Sequence, residues 1–153
     1  MKTILSLSTV LFISMCFTSC VKSVEVSAPS PTYSISGTWY VSDASYLGKN
    51  GWYSFDAGLP GIFSFYNDGS AQYSDNDGNM QGDWNSSIIS TGYYDDYGNY
   101  QIDSHKDFSV SVSGSGGSYI DLYFDDISFA GNSQFIATYY DGKSVQRYTF
   151  VRY

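Results

Sequence analysis

The sequence has few cysteines, and both lie close to its first residue. Among 153 residues only Cys16 and Cys20 are cysteines, and His105 is the only histidine. Residues 21–153 therefore cannot form an internal disulfide. A structural zinc site needs several cysteine or histidine ligands, so zinc is excluded by the same count. We expect the body of the protein to fold without crosslinks, and we expect no cofactor.

Charged side chains are also scarce, and most of them are acidic. The chain has seven basic and 15 acidic residues, which gives a formal net charge of -8, and Glu25 is the only glutamate. Binding to nucleic acid or to anionic lipid headgroups requires clustered lysines and arginines, so the composition argues against both. Aromatic residues make up 19% of the chain, and 16 residues are tyrosines. That composition favours a folded domain over a disordered one.

Apolar and polar residues alternate repeatedly from residue 34 onward, which predicts β-strands. Phe108, Val110 and Val112 alternate with serines, for example, and no stretch shows a sustained helical period. Asp-Gly turn motifs separate several of these runs. The spacing predicts an all-β antiparallel barrel or sandwich. The predicted strands are Ile35–Asp43, Gly61–Asn67, Ser70–Ser74, Met80–Asn85, Ile88–Tyr93, Phe108–Ser113, Tyr119–Phe124, Gln134–Tyr140 and Val145–Arg152.

The first twenty residues have the layout of a secretory signal. Lys2 is followed by the mostly apolar run Ile4–Phe17, and small residues come next. The apolar run is too short for a membrane-spanning helix, which needs about 20 such residues. We therefore expect an export signal at this end of the chain.

The segment "FTSC", Phe17–Cys20, resembles the lipobox of bacterial lipoproteins, in its looser Bacteroidetes form. The stricter pattern has leucine where this chain has Phe17. The resemblance implies that residues 1–19 are a lipoprotein signal peptide and that a lipid is attached to Cys20. Residues 20–33 would then be a lipidated tether, and 34–153 the folded domain. The alternative is an ordinary cleaved signal with an incidental cysteine.

The lipobox resemblance also implies a location. A lipid on Cys20 would anchor the protein in the membrane of the cell envelope, since several acyl chains give stable anchoring. Val21 stands where an aspartate can signal retention in the inner membrane. The resemblance therefore favours the outer membrane.

Two short motifs resemble the lipocalins. "SGTW", Ser36–Trp39, is similar to their Gly-x-Trp signature on the first strand, and the last predicted strand, in "RYTFVRY", ends with Arg152. In that family an arginine on the last strand packs across the tryptophan. The resemblance implies a small up-and-down barrel of about eight strands in which Trp39 and Arg152 close one end. The segment Phe63–Trp84 also resembles the middle hairpin of small lipocalin-like lipoproteins.

The interior of such a barrel is predicted to be crowded. An eight-stranded barrel has room for its own side chains or for one small ligand. We expect a small cavity or none, and binding at the open end. The side chains expected to point inward are Trp39, Phe63, Phe65, Trp84, Phe108, Phe124, Phe135 and Phe150.

Two aromatic stretches are candidate binding loops. Ser45–Pro60 is expected to be irregular, and Gly92–Tyr100 combines tyrosines with carboxylates. Long loops that carry aromatic rings serve as lids or binding surfaces, and tyrosines beside carboxylates can hold a sugar or a peptide. The alternative is that the rings only cover neighbouring strands. The candidate residues are Trp52, Tyr53, Tyr93, Tyr94 and Tyr97.

Catalytic and metal sites are not expected. His105 stands between aspartates, but no Gly-x-Ser-x-Gly motif accompanies it, so we interpret it as a polar loop residue. Asp75 and Asp77 form one acidic cluster, and Asp95 and Asp96 form another. Aspartates are common in turns, so we interpret both clusters as turn residues and not as calcium ligands. We expect non-catalytic binding of a small apolar or amphipathic ligand. The alternatives are a glycan- or protein-binding module that uses the tyrosine-rich loops, and a structural envelope lipoprotein.

Overall fold

A computed structural model of the chain describes residues 33–94, 97–140 and 142–153. The predicted signal peptide, the lipidation site Cys20 and almost all of the predicted tether lie outside the described residues, as do Asp95 and Asp96. Within the described part of the chain, no helix is long and apolar enough to cross a membrane.

The described residues form β-strands and no helices. This result confirms the predicted all-β class. Twelve strands are present: β1 (Gly37–Gly48), β2 (Gly51–Ser54), β3 (Ile62–Phe65), β4 (Ser70–Asp75), β5 (Gly78–Asn85), β6 (Ile88–Tyr94), β7 (Tyr100–Lys106), β8 (Phe108–Gly114), β9 (Tyr119–Phe124), β10 (Asp126–Phe129), β11 (Gln134–Tyr140) and β12 (Val145–Arg152).

Ten of these strands form one sheet. Nine follow the order β10-β11-β12-β1-β3-β4-β5-β8-β9, and β2 pairs with the far half of β1. Strands β6 and β7 form a separate two-stranded sheet. Every strand pair among the described residues is antiparallel. Most neighbours in the sheet are also neighbours along the chain, as in a meander.

The expected barrel of about eight strands is not found as a closed structure in the part of the chain that is described. The two ends of the sheet, β9 and β10, are separated by Asp125 alone. The chain pairs with β8 before that residue and with β11 after it. Because β9 and β10 follow one another in a single segment, no ladder can form between them, and the hydrogen-bonded order has two ends.

Three strands were not predicted. The stretch Ser45–Pro60, expected to be irregular, contains the end of β1 and all of β2, which pair as a hairpin with Leu47 opposite Trp52. The strand β10 was also missed. His105, interpreted as a loop residue, lies in the third of them, β7, opposite Ile89.

Aromatic rings fill the interior of the main sheet. Of the eight side chains predicted to point inward, seven are buried, and Trp84 is partly buried against them. The rings of Phe135 and Phe150 stack with centroids 4.6 Å apart, and the ring of Phe108 meets both edge-on. Edge-to-face and stacked pairs of this kind stabilise a core beyond the area that they bury. The interior is therefore occupied by side chains.

Candidate functional site

Arg152 and Trp39 meet where the last strand pairs with the first. The two residues are register partners, and the guanidinium carbon lies 4.3 Å from the centroid of the tryptophan ring. The Arg152 Nε donates to the carbonyl oxygen of Asn132 at 2.9 Å, and Nη2 donates to that of Ser34 at 3.2 Å. The Trp39 Nε1 donates to the carbonyl oxygen of Ile35 at 2.6 Å. This pair fastens the carboxyl end of β12 to the segment that enters β1.

Gly37 makes the contact between Arg152 and Trp39 possible. Its φ of +136° lies in a region that residues with a Cβ rarely adopt. A Cβ at this position would also collide with Nη1 of Arg152. The glycine of the Gly-x-Trp motif is thus required by its backbone conformation and by the guanidinium that lies against it.

An open cleft of about 300 Å³ lies between β9 on one side and β11 and β12 on the other. Leu122 and Phe124 contribute to it from the inward-facing side of β9. No ladder joins β9 to β11 in the described residues. The lining residues are Asp121, Leu122, Tyr123, Phe124, Tyr139, Gln146 and Tyr148.

A chain of ring contacts leads from the β1–β2 hairpin into this cleft. The exposed rings of Tyr53 and Tyr46 stack at 5.5 Å, and Tyr46 lies 6.4 Å from Phe55. Phe55 meets Tyr148 edge-on at 5.8 Å, and Tyr148 meets the buried Phe124 at 5.1 Å. We call these five residues the aromatic ladder. It joins a solvent-exposed hairpin to the core by way of the cleft.

The hydroxyl of Tyr148 is a polar group within largely apolar surroundings. Burial raises the pKa of this tyrosine above its usual value. An ordinary tyrosine is already protonated at neutral pH, so this hydroxyl is protonated there too and can donate or accept a hydrogen bond. Burial also raises the pKa of Tyr123, and the nearby charges of Asp125 and Asp107 act in the same direction.

Trp52 and Tyr53, two of the predicted binding residues, point to opposite faces of β2, because adjacent residues in a strand alternate. Tyr53 belongs to the aromatic ladder. The guanidinium carbon of Arg147 lies over the ring of Trp52, 4.2 Å from its centroid. Only one of the two predicted residues therefore leads toward the cleft.

The other predicted binding tyrosines lie on the separate hairpin β6–β7 or in the turn between its strands. Tyr94 is 73% exposed, and Tyr97, in the turn, is 91% exposed. The rings of Tyr94 and Tyr100 meet at 5.3 Å, and the ring of Tyr100 covers Gly92. Tyr93 lies in β6, and its side chain is outside the described part of the structure. These tyrosines and the aromatic ladder are thus on different sheets.

Of the described acidic residues considered for calcium or catalysis, Asp75 is the last residue of β4, Asp77 is in the turn that follows, and Asp103 lies on β7. The carboxylate of Asp75 accepts the backbone N–H groups of Asp77 at 2.9 Å and of Gly78 at 3.1 Å. Asp103 and His105 line a depression together with residues of β10 and β11. In the described ranges, no group of three or more histidine, cysteine or acidic residues is arranged to hold a metal ion.

Phe55 and Tyr46 lie in the stretch Ser45–Pro60 that was predicted as a binding loop, but they were not among its individual candidate residues. A signal for Tyr148 was present, because it lies two residues before the inward-facing Phe150. Comparisons with protein-family models, with curated proteins and with solved structures find no match to this chain. The function must therefore be argued from the geometry of the cleft itself.

Proposed function

We propose that this protein is a cell-envelope lipoprotein whose domain binds a small apolar or amphipathic ligand without catalysis. The binding site would be the cleft between β9 and β12, at the rim of the sheet. The observation that carries this proposal is the aromatic ladder, which presents rings from Tyr53 to Phe124 along one path. The ring-filled interior leaves the rim as the place for a ligand.

The chemistry of the cleft favours a ligand with both apolar and polar parts. Leu122, Phe124 and the ring of Tyr148 offer apolar contact. The hydroxyl of Tyr148 and the amide of Gln146 offer hydrogen bonds at the same place. Binding sites for small molecules commonly combine an apolar lining with a few polar groups that fix the ligand's orientation.

We propose further that the domain is lipocalin-like, with a barrel that is interrupted at Asp125. Nine strands lie on the sheet's path, and counting β9 and β10 as two halves of one bent strand leaves eight (9 - 1). The backbone N–H of Asp125 donates to the carbonyl oxygen of Thr138 at 2.9 Å, which holds the bend against β11. The contact between Trp39 and Arg152 agrees with the same proposal.

Binding at the cleft can be tested with a fluorescent polyene fatty acid of 18 carbons. Replacing Leu122 with tryptophan would fill the cleft, and we expect it to weaken binding by about tenfold or more. Leu47→Trp is the matched control, because Leu47 is exposed on the β1–β2 hairpin and does not line the cleft. Unchanged binding in Leu122→Trp, or equal loss in both variants, would show that the cleft is not the site.

The lipid anchor can be tested separately by mass spectrometry of the protein produced in a bacterium. We expect cleavage before Cys20, acyl groups on that cysteine, and partition into the detergent phase. Cys20→Ala should abolish all three, while the matched variant Cys16→Ala should leave them unchanged. A mature protein without acyl groups would contradict the anchor. Fractionation of the envelope would test the proposed outer-membrane location.

A second candidate function is recognition of a glycan or a protein through the hairpin β6–β7. The exposure of Tyr94 and Tyr97 favours it, since interfaces commonly use exposed tyrosine rings. Replacing both residues with alanine should remove binding and leave the melting temperature unchanged. A large loss of thermal stability would indicate that the rings serve packing instead.

A further inference from the structure

The outer face of the main sheet carries a transverse row of uncharged polar side chains. The strand registers place Thr38 opposite Ser64, Ser64 opposite Gln72, Gln72 opposite Gln81, and Gln81 opposite Ser113. The row crosses β1, β3, β4, β5 and β8. Its hydroxyl and amide groups can each donate and accept hydrogen bonds.

Two surface depressions adjoin each other along this row, and Tyr66 lines both. One has a volume of about 350 Å³ and the other about 550 Å³. The first is lined by Ser36, Gly37, Thr38, Ser64, Phe65, Tyr66 and Asn67, and the second by Tyr66, Ser70, Ala71, Gln72, Gln81 and Gly82. Together they form a shallow groove with a tyrosine at its middle.

This groove, which we call the neutral groove, is lined by uncharged side chains. Among the residues that the structure describes, none with a charged side chain lines either depression. The aromatic cleft, by contrast, includes Asp121, and the depression beside β7 includes Asp103.

Charged groups stand directly beside the neutral groove. At one end the Asp68 carboxylate accepts the Ser70 hydroxyl at 2.6 Å, and Asp83 is the register partner of Ser70. At the other end Arg152 Nη1 donates to the carbonyl oxygen of Ser36 at 3.4 Å.

Tyr66 is held in place by its neighbours while its ring stays accessible. Its backbone N–H donates to Ser70 at 3.0 Å, and its carbonyl oxygen accepts the Trp84 Nε1 at 2.8 Å. Its hydroxyl donates to Oε1 of Gln72 at 3.3 Å. The side chain is nevertheless 47% exposed. The hydroxyl bond to Gln72 restrains the ring, so the ring loses less conformational freedom when a ligand stacks on it.

We infer that the neutral groove binds an uncharged oligosaccharide across the outer face of the sheet. One sugar ring stacks against Tyr66, and the sugar hydroxyls exchange hydrogen bonds with the hydroxyl and amide side chains on both sides. An acidic saccharide would meet the carboxylates of Asp68 and Asp83 beside Ser70, and the Arg152 guanidinium at the other end is already bonded to backbone carbonyls. The groove shares no residue with the aromatic cleft, so this inference does not rest on the function proposed above.

The test measures binding of maltohexaose, cellohexaose, xylohexaose and mannohexaose to the purified chain by calorimetry and amide-shift NMR. An oligogalacturonate of equal length is the acidic comparison. We expect at least one neutral hexasaccharide to bind and to shift the amide signals of Ser64, Gln72 and Gln81. Tyr66→Ala should weaken that binding by about tenfold, and Tyr66→Phe, which keeps the ring, by less than about threefold.

Tyr40→Ala is the matched control, because Tyr40 is an exposed tyrosine on β1 that lines neither depression. Its affinity should equal that of the unchanged protein. Four results would each overturn the inference: no binding by any neutral hexasaccharide, tighter binding of the acidic one, equal loss in Tyr40→Ala and Tyr66→Ala, or shifts confined to the signals of residues around Tyr148.

Discussion

The guanidinium carbon of Arg152 lies 4.3 Å from the ring centroid of Trp39, directly across the ladder between β12 and β1. The same guanidinium donates hydrogen bonds to backbone carbonyls of residues that precede β1 and β11. One side chain thus joins the first strand, the last strand and the turn that leads into β11. Removing this side chain should therefore weaken the contacts among all three segments.

Arg152→Ala should lower the free energy of unfolding by about 1–2 kcal/mol, because a cation–π contact and hydrogen bonds from a charged group are lost together. Urea denaturation measures the change. Arg147→Ala is the matched control, since Arg147 is also exposed and also covers an indole ring, but the ring is that of the exposed Trp52 and not the buried Trp39. A loss from Arg147→Ala as large as that from Arg152→Ala would contradict the special role of Arg152.

Gly37→Ala should destabilise the domain by about 2–3 kcal/mol, through backbone strain and through collision with Arg152. Gly51→Ala isolates the strain, because Gly51 has a φ of +131° against +136° for Gly37 and its Cβ would meet open space. Chemical denaturation should therefore give a smaller loss for Gly51→Ala. Adding Arg152→Ala to the Gly37→Ala variant should recover part of the stability that Gly37→Ala loses. If the double variant instead loses the sum of the two single losses, the collision is refuted.

The domain should lose stability as the pH rises above 10. Burial raises the pKa values of Tyr73 and Tyr148 above 10.0, so the folded protein holds these protons more tightly than the unfolded chain. Their contribution to stability is complete below pH 10 and disappears as the pH passes the folded-state pKa values. Urea midpoints between pH 8 and pH 11 measure this loss. Tyr148→Phe should give a shallower decline, and an identical decline would contradict the assignment.

Asp125→Ala should loosen the bend between β9 and β10. The Asp125 carboxylate accepts the backbone N–H of Tyr140 at 2.7 Å. Without it, hydrogen exchange at the Tyr140 amide should speed up by about tenfold, and the free energy of unfolding should fall by about 1 kcal/mol. Asp126→Ala is the adjacent control and should leave that amide unchanged. Equal exchange rates in both variants would argue against the bond.

The sequence was most informative where one face of a strand is buried. Strands β9, β11 and β12 have the predicted bounds, and β8 is only one residue longer than predicted. In β8, for example, Phe108 and Val110 alternate regularly with serines. The buried side of each strand must be apolar, so the alternation itself carries the assignment. The same alternation correctly assigns seven aromatic side chains to the core.

The strands that were not predicted do not have one fully buried, apolar face. Strand β7 is exposed on both sides over most of its length, so neither face had to be apolar and no alternation of burial marks it. Strand β10 has only four residues, and β2 has a half-buried glycine followed by three exposed residues. Such segments become strands because a partner strand lies beside them, which a single run of residues does not reveal.

The candidate site was predictable only in part for a related reason. Trp52 and Tyr53 were recognised as exposed aromatics, but their separation onto two faces depends on their being in a strand. Phe55 joins Tyr46 to Tyr148 only because the β1–β2 hairpin places it beside β12. Contacts that depend on a hairpin cannot be inferred when the hairpin is taken for a loop.

The contacts between the first and last segments of the described domain also bear on how the domain can be engineered. The backbone N–H of Tyr153 donates to the carbonyl oxygen of Thr38 at 2.9 Å, so the described chain begins and finishes at one place. A short linker from Tyr153 to Tyr33 would create a circular permutant, with new termini opened in the exposed turn at Lys49 and Asn50. In that molecule β12 and β1 would form a covalently continuous hairpin at the carboxyl-terminal end of the sequence.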